Sequence, residues 1–273
     1  MKKLFSIFFV ALFAIGFVKA QDPVIDGVYE KKNTSEKGII EYDDIREADV
    51  FWTKRIWRTI DVREKMNLIF SYPQMPLIDI IHSAAASGEL TVYDMSVLNA
   101  DQFLDTLAVE KVGMIGNSVD TISRINPITL QQEEIVQVNE FDPQKVIKYK
   151  IKEDWFFDEE TSTFQVRILG IAPVIESYSS DGNYLGDETM YWVYYPQLRP
   201  IISKYEAYNT GNDAIRLSWE DIFEARLFDS YITKESNVYD RVIQEYATGL
   251  DALFESDRIK DELFNFEHDL WSY

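Results

Sequence analysis

The chain contains no cysteine in its 273 residues, so its fold must be stabilised without disulfide bonds or cysteine-bound metal ions. A thiol nucleophile is excluded for the same reason. Stability must therefore come from a packed core, and the composition can supply one, since 46% of the residues are hydrophobic and 14% are aromatic. We expect a globular protein with a substantial core.

The N-terminal residues have the three parts of an export signal. Lys2 and Lys3 provide positive charge, residues 4–18 form an apolar run too short to span a bilayer stably, and residues 18–20 form a small-x-small cleavage site before Gln21. A bacterial lipoprotein has cysteine as its first mature residue, whereas here that residue is Gln21. We therefore expect residues 1–20 to be a signal peptide and the exported protein to carry no lipid anchor.

The chain is strongly acidic. Its formal net charge is −20, which becomes −23 once the three lysines of the expected signal peptide are removed. This charge would repel nucleic acid and anionic lipid, so neither is expected as a partner. No apolar run after Val18 is long enough for a membrane helix, so direct membrane insertion is not expected either.

The first part of the exported chain is predicted to be an arm followed by helices. Residues 21–44 are polar and typical of an extended arm. In residues 45–66 the apolar side chains recur at spacings of three and four, which predicts a helix. Residues 77–87 predict a second, shorter helix that ends at Gly88.

The middle of the chain changes to the pattern of a sheet. Residues 148–157 and 163–171 are rich in β-branched and aromatic side chains and are separated by a short polar segment, which predicts a β-hairpin. Residues 189–195 predict a third strand that ends before Pro196. We therefore expect an antiparallel sheet of three strands or slightly more.

The last third is predicted to be helical. Ser218 begins a sequence like a capping box, in which Asp221 replaces the usual glutamate. Apolar spacing predicts a helix after it, a second at residues 238–253 and a third at residues 259–266. Because the strands are grouped between N-terminal and C-terminal helical blocks, residues 45–273 are predicted to form a single α+β domain.

The sequence contains no recognisable catalytic or cofactor-binding motif. Its two histidines, His82 and His268, lack a partner at metal-ligand spacing, so His82 is interpreted as a hydrogen-bonded structural residue. Gly-x-Ser-x-Gly, P-loop and Gly-x-Gly-x-x-Gly sequences are absent. We therefore predict no catalytic residue, no cofactor and no firmly supported metal site.

A glycoside hydrolase is an alternative to a protein without catalytic residues, because it requires only two carboxylates across a cleft. Aromatic side chains at Trp155, Trp192 and Tyr194, with Asp154 or Asp158 nearby, would suit an exported carbohydrate-binding protein or a carboxylate-based glycoside hydrolase. This alternative predicts a deep pocket in which the aromatic and acidic groups converge. Positions in turns and at strand edges explain the same acids without any catalytic role.

A partial calcium-binding loop precedes the predicted third strand. Its candidate oxygen ligands are Asp181, Asn183 and Asp187, and Gly186 occupies the sixth position of such a loop. The fifth position, Leu185, lacks a ligand oxygen, and the twelfth position is not acidic. A turn built on the Asp-Gly pair explains the same residues.

A cluster of basic residues stands out in this acidic chain, at Lys54, Arg55, Arg58, Arg63 and Lys65. One interpretation is pairing with acids of the same chain, and exposed pairs of this kind contribute little. The other is a subunit or partner contact through Lys54, Arg55, Arg58 and Lys65, which meets the acidic end of a neighbouring subunit. Repetition of such a contact would produce a ring or a filament.

Five segments of the chain resemble one protein family. They are residues 51–67 (FWTKRIWRTIDVREKMN), 151–158 (IKEDWFFD), 167–173 (RILGIAP), 192–200 (WVYYPQLRP) and 218–224 (SWEDIFE). Their order and spacing are similar to those of the GldN or PorN family, the periplasmic N component of the gliding motility and type IX secretion apparatus.

The resemblance implies a non-enzymatic subunit without cofactors. Proteins of this family associate with a lipoprotein, GldK or PorK, in periplasmic rings under the outer membrane, and a motor protein, GldM or PorM, contacts this assembly. We therefore expect self-association within a ring, and attachment to the outer membrane through the GldK/PorK-like lipoprotein. The family has no catalytic residues to transfer to this chain.

Overall fold

The computed structural model describes residues 38–95, 100–115, 118–125, 132–139, 141–179, 183–212 and 214–271. The expected signal peptide and residues 21–37 of the expected arm lie outside these ranges, so the boundaries 1–20, 21–44 and 45–273 stay predictions. None of the helices in the described ranges combines the length and apolar character needed to cross a membrane.

Within these ranges the chain forms eleven strands and five α-helices. The strands are β1 (Val50–Asp61), β2 (Val92–Tyr93), β3 (Ser118–Ile125), β4 (Gln132–Asn139), β5 (Val146–Asp158), β6 (Thr163–Tyr178), β7 (Tyr184–Thr189), β8 (Trp192–Tyr194), β9 (Glu206–Ala207), β10 (Leu217–Ser218) and β11 (Tyr231–Glu235). The helices are α1 (Leu77–Ala86), α2 (Val109–Val112), α3 (Tyr195–Ile202), α4 (Trp219–Glu224) and α5 (Leu250–Trp271).

Seven of the described strands form one antiparallel sheet, in the order β11-β1-β5-β6-β8-β2, with β7 also paired to β6. The long strands β1, β5 and β6 make up its centre. Two smaller sheets pair β3 with β4 and β9 with β10. The mixed class with an antiparallel sheet is confirmed, but the sheet is larger than the three strands predicted.

The predicted hairpin is confirmed as β5 and β6. Asp158 stabilises its turn, because the Asp158 carboxylate accepts hydrogen bonds from the Glu160 backbone N–H and the Thr161 hydroxyl. The predicted third strand is divided into β7 and β8, which pair with different parts of β6. The break falls at Met190 and Tyr191, whose side chains are buried in the core.

The helix predicted at residues 45–66 is wrong, because most of this segment forms β1. Trp52, Ile56 and Ile60 are spaced by four residues, which is also a multiple of the two-residue period of a strand. These side chains therefore share one face of β1, as they would have shared one face of a helix. Pairing with β5 makes this segment a strand and not a helix, and the spacing of residues within the segment cannot predict that pairing.

The remaining helical predictions are confirmed in part. α1 matches the helix predicted at residues 77–87, and Gly88 follows it with φ of +77°. α4 begins at the predicted capping box, in which Ser218 and Asp221 each bond the other's backbone N–H. The helix predicted at residues 259–266 lies within α5. The helix predicted at residues 238–253 is wrong before Leu250, where the chain forms loops and one 3-10 turn, and β11 was not predicted.

The helices cover one face of the sheet. Ile60 and Tyr149 are buried on this face in the larger core cluster, which α1, α3 and α4 complete. Ile56 belongs to a smaller cluster on the same face, together with Ile259 and Leu263 of α5. The opposite face of β1 and β5 carries mainly polar and charged residues together with Trp57, and it carries the candidate site.

Candidate functional site

The face of the sheet opposite the helices forms a groove of about 1200 Å³. Its lining includes five basic side chains, Arg55, Lys148, Lys150, Lys152 and Lys234. We call it the lysine groove. Because the chain as a whole carries a net charge of −20, this concentration of cations makes the groove the leading candidate for a binding site.

Three of these lysines occupy alternate positions of β5. Tyr149 and Ile151 between them are buried in the core, so the two-residue period of the strand places Lys148, Lys150 and Lys152 on the groove side. The sequence signal for this stripe is the alternation of lysine with apolar residues. Sequence reasoning predicted a strand here but assigned no function to the lysines.

Four of the five cations are held by carboxylates of the same chain. The pairs are Arg55–Asp154 (Nε–Oδ1 2.7 Å), Lys148–Asp187 (Nζ–Oδ2 2.6 Å), Lys152–Asp101 (Nζ–Oδ2 3.3 Å) and Lys234–Asp240 (Nζ–Oδ1 2.5 Å). These pairs hold the basic groups in place and also neutralise much of their charge.

Lys150 differs from the other cations of the lysine groove. Its Nζ donates a hydrogen bond to Thr189 Oγ1 at 2.9 Å, and no carboxylate oxygen of the described residues lies within 4.0 Å of it. Burial lowers the pKa of Lys150; the charge of Asp187 opposes this shift and that of Lys148 adds to it. A carboxylate brought into the groove would supply the missing counter-charge and favour the charged form of Lys150.

Aromatic side chains surround Lys152 in the groove. Trp57 Nε1 donates to Asp101 Oδ2 at 3.0 Å, and Lys152 Nζ lies 5.8 Å from the centre of the Trp57 ring and 5.4 Å from that of Phe103. Gly170 leaves room for Phe103, because a Cβ atom at position 170 would lie 2.5 Å from Phe103 Cζ. These contacts bury Lys152, so its ammonium group is part of the wall of the groove.

The residues of the carbohydrate-binding or glycosidase alternative do not converge on one pocket. Trp155 packs on the helix-covered face, whereas Trp192 is buried at the lysine groove. Asp154 is bonded to Arg55, and Asp158 stabilises the hairpin turn. This alternative is therefore not supported.

The candidate calcium ligands are only partly described. Asp181 lies outside the described residues, and Asn183 directly precedes β7. Partial burial raises the pKa of Asp187, but hydrogen bonds from Lys148 and Tyr184 outweigh this and hold it below its usual value. Over the ranges that the structure describes, no group of three or more His, Asp or Glu residues is arranged to hold a metal ion. The calcium site stays a prediction.

The hypothesised contact residues Lys54, Arg55, Arg58 and Lys65 do not lie on one face. Lys54 and Arg58 lie on the helix-covered side of β1, where Lys54 pairs with Glu235 at 2.6 Å and Arg58 is buried. Arg55 lines the lysine groove, and Lys65 is exposed in the turn after β1. Because residues 50–61 form a strand, neighbouring side chains alternate between its two faces, and the contact itself stays a prediction.

The described end of the expected arm is fixed to the domain through Tyr42. Its hydroxyl donates to Glu224 Oε1 at 2.5 Å, and its ring centre lies 3.9 Å from the guanidinium carbon of Arg199. Arg199 also forms a buried ion pair with Glu220 at 2.7 Å. Burial, with the hydrogen bond to Glu224, raises the pKa of Tyr42, so its hydroxyl stays a neutral donor. Residues 38–44 are thus anchored although they form no helix or strand.

The model of the family described as "Gliding motility associated protein GldN" matches residues 45–272, a range that includes every strand and helix given above. No curated protein matches the chain. The chain therefore belongs to the GldN family and is a component of the gliding motility and type IX secretion machinery.

Proposed function

We propose that this chain is a non-enzymatic structural subunit of the gliding motility and type IX secretion machinery, located in the periplasm. It forms rings with a GldK/PorK-like lipoprotein at the outer membrane, and a GldM/PorM-like motor protein contacts these rings. The observation that carries the proposal is the match of the GldN family over residues 45–272.

Exposed apolar side chains support a role in protein contact. On α5, Leu250, Phe254 and Phe264 are 70%, 67% and 66% exposed. Large apolar groups gathered on one surface element are typical of surfaces that another protein covers. α5 is therefore a candidate contact element.

The ribbon of β3 and β4 supports the same role. Its strands pair with each other over eight positions and with no other strand of the described residues. A two-stranded ribbon alone is marginally stable in water, so contact with a partner would stabilise it.

In this proposal the lipoprotein attaches the complex to the outer membrane. Acylation of a lipoprotein requires a cysteine, and this chain contains none. The lipoprotein partner would therefore hold both proteins at the outer membrane.

Co-expression with the GldK/PorK-like lipoprotein of the same cells tests the proposal. We expect the tagged lipoprotein, purified in detergent, to retain this chain in a complex far larger than either protein alone. An unrelated exported lipoprotein with the same tag is the control. A chain that washes away from the lipoprotein and elutes as a monomer would contradict the proposal.

A further inference from the structure

We propose that the lysine groove binds the outer surface of α5 from a second copy of this chain, so that copies associate head to tail. The inference deepens the proposed function and rests on it for the expectation that many copies assemble together. The inference is argued from the geometry and charge of two surfaces, and the family match gives neither surface a function.

α5 carries an outer stripe that we define as Phe254, Asp257, Asp261 and Phe264. These positions are separated by three, four and three residues, so they lie along one side of the helix. Ile259 and Leu263 lie on the opposite side of α5, where they pack into the smaller core cluster. The outer stripe therefore faces away from the domain.

The outer stripe is exposed, and its two acids form no ion pair with any residue that the structure describes. Phe254 and Phe264 are 67% and 66% exposed. In the described part of the chain, no basic group lies within 4.0 Å of the carboxylates of Asp257 or Asp261. The neighbouring Arg258 is paired with Glu255 and Glu262 instead. Two exposed aromatic side chains that flank two unpaired carboxylates are suited to cover by a basic, aromatic surface.

The lysine groove has the complementary groups. Lys150 has no carboxylate partner in the described residues, and Trp57 and Tyr231 add aromatic surface to the lining. The carboxylates of Asp257 and Asp261 are about 6 Å apart along the helix axis, at 1.5 Å per residue. Successive lysines of β5 are about 7 Å apart, at two residues per repeat. Lys152 is buried, so this spacing lets one carboxylate approach Lys150 while the other approaches Lys148, which also pairs with Asp187.

The two surfaces lie on opposite sides of the sheet. α5 packs on the face that carries Ile56, whereas the lysine groove is on the other face. One copy can therefore present its α5 to one neighbour and accept the α5 of another neighbour in its groove. A heterologous contact of this kind repeats, and it closes into a ring or continues as a filament.

Charge reversal on each surface of the exported chain tests the contact. One variant carries Lys150→Glu in the groove, and the other carries Asp257→Lys with Asp261→Lys on α5. Each is expected to weaken self-association at least about tenfold, because like charges then face each other. An equimolar mixture of the two variants should recover association, since a reversed groove then meets a reversed helix. Sedimentation equilibrium measures both effects.

Two controls each reverse one charge outside the two surfaces. Lys111→Glu lies on α2, outside the groove, and Asp251→Lys lies on α5 beside the outer stripe; both should associate as the wild type does. Circular dichroism verifies folding, and Lys150→Gln replaces Lys150→Glu if the latter does not fold. A wild-type chain that stays monomeric, variants that associate normally, or a mixture that shows no recovery would overturn the proposal.

Lipoprotein binding by the same variants separates this inference from the proposed function. The groove and α5 variants should retain the lipoprotein while their self-association weakens. Loss of lipoprotein binding with unchanged self-association would overturn the inference and assign the lysine groove to the lipoprotein. A wild-type chain that self-associates but does not bind the lipoprotein would contradict the proposed function and support the contact between copies.

Discussion

Glu153 is a carboxylate with no exposed surface, on the helix-covered face of β5. Trp155 Nε1 donates to Glu153 Oε1 at 2.8 Å, Arg226 Nη1 donates to Oε2 at 2.9 Å, and Arg58 Nη1 lies 3.7 Å from Oε1. Burial lowers the pKa of Arg58, and the charge of Glu153 opposes this shift. The cluster joins β1, β5 and the segment after α4, which indicates a structural role.

Glu153→Gln is expected to lower the free energy of unfolding by about 3–5 kcal/mol, because it removes the carboxylate that pairs with buried Arg58. Asp154→Asn is the matched control at the next position of β5, on the groove face. Its partner Arg55 is 43% exposed, so we expect a loss of at most about 1 kcal/mol. Urea unfolding measures both values. Equal losses would contradict the structural role of the Glu153 cluster.

His82 lies half-buried among aromatic side chains, in keeping with the structural role predicted for it. Its Nδ1 is 3.4 Å from the Tyr191 hydroxyl, and its ring centre is 5.0 Å from that of Phe141. Burial lowers the pKa of His82 below its usual value, and the charge of Asp79 opposes this shift. Folding therefore favours the neutral imidazole.

The lowered pKa of His82 sets the sign of a pH effect. The unfolded chain binds a proton at His82 at higher pH than the folded chain, so this residue costs stability as the pH falls below about 6.5. Compared with the wild type, His82→Gln should lose less stability between about pH 7 and pH 5. Urea unfolding across this range checks the sign, and an NMR titration of the imidazole checks its cause. A midpoint at or above the usual value would contradict the prediction.

At the scale of elements, α4 depends on its capping box. Ser218 has no exposed surface, and its Oγ accepts a hydrogen bond from the Asp221 backbone N–H. Ser218→Ala should cost about 1 kcal/mol, because this N–H then loses its partner. Ser71→Ala is the control, since the Ser71 hydroxyl bonds only the Leu68 carbonyl at a more exposed site. Urea unfolding compares the two, and a loss no larger for Ser218→Ala would contradict the role of the cap.

Elements with local signals could be predicted from the sequence. The hairpin of β5 and β6 and the capping box depend on alternation and on residue types within a few positions. β1 and β11 depend on pairing with distant parts of the chain, as where Trp57 lies between Lys152 of β5 and Lys234 of β11. The spacing of residues within each segment does not reveal that pairing, so it predicts a helix where β1 forms and does not predict β11.

Of the candidate site, only the stripe of lysines on β5 could be predicted from the sequence. Alternation at residues 148–152 predicts the lysine stripe once β5 is recognised. Asp101, Asp187 and Asp240, which neutralise the neighbouring lysines, lie far from one another in the sequence. Their positions depend on the whole fold, so local sequence does not identify Lys150 as the groove lysine that lacks a carboxylate partner among the described residues.

At the scale of the whole molecule, the sheet separates two surfaces of opposite charge. The lysine groove lies on its open side, and α5 with the outer stripe lies on the covered side. In a two-fold dimer both copies would use the same surface. In the head-to-tail contact one copy uses its groove and the next uses its outer stripe, so a growing chain of copies keeps one free groove and one free outer stripe at its ends. This arrangement favours extended or closed arrays of copies, as a ring subunit requires.

Electron microscopy of the complex with the GldK/PorK-like lipoprotein tests the central proposal most directly. We predict closed rings in which this chain repeats around one axis, and rings broken into small complexes when Asp257→Lys and Asp261→Lys are introduced. A small discrete complex of the two wild-type proteins, with no repeated arrangement of this chain, would contradict its role as a ring subunit.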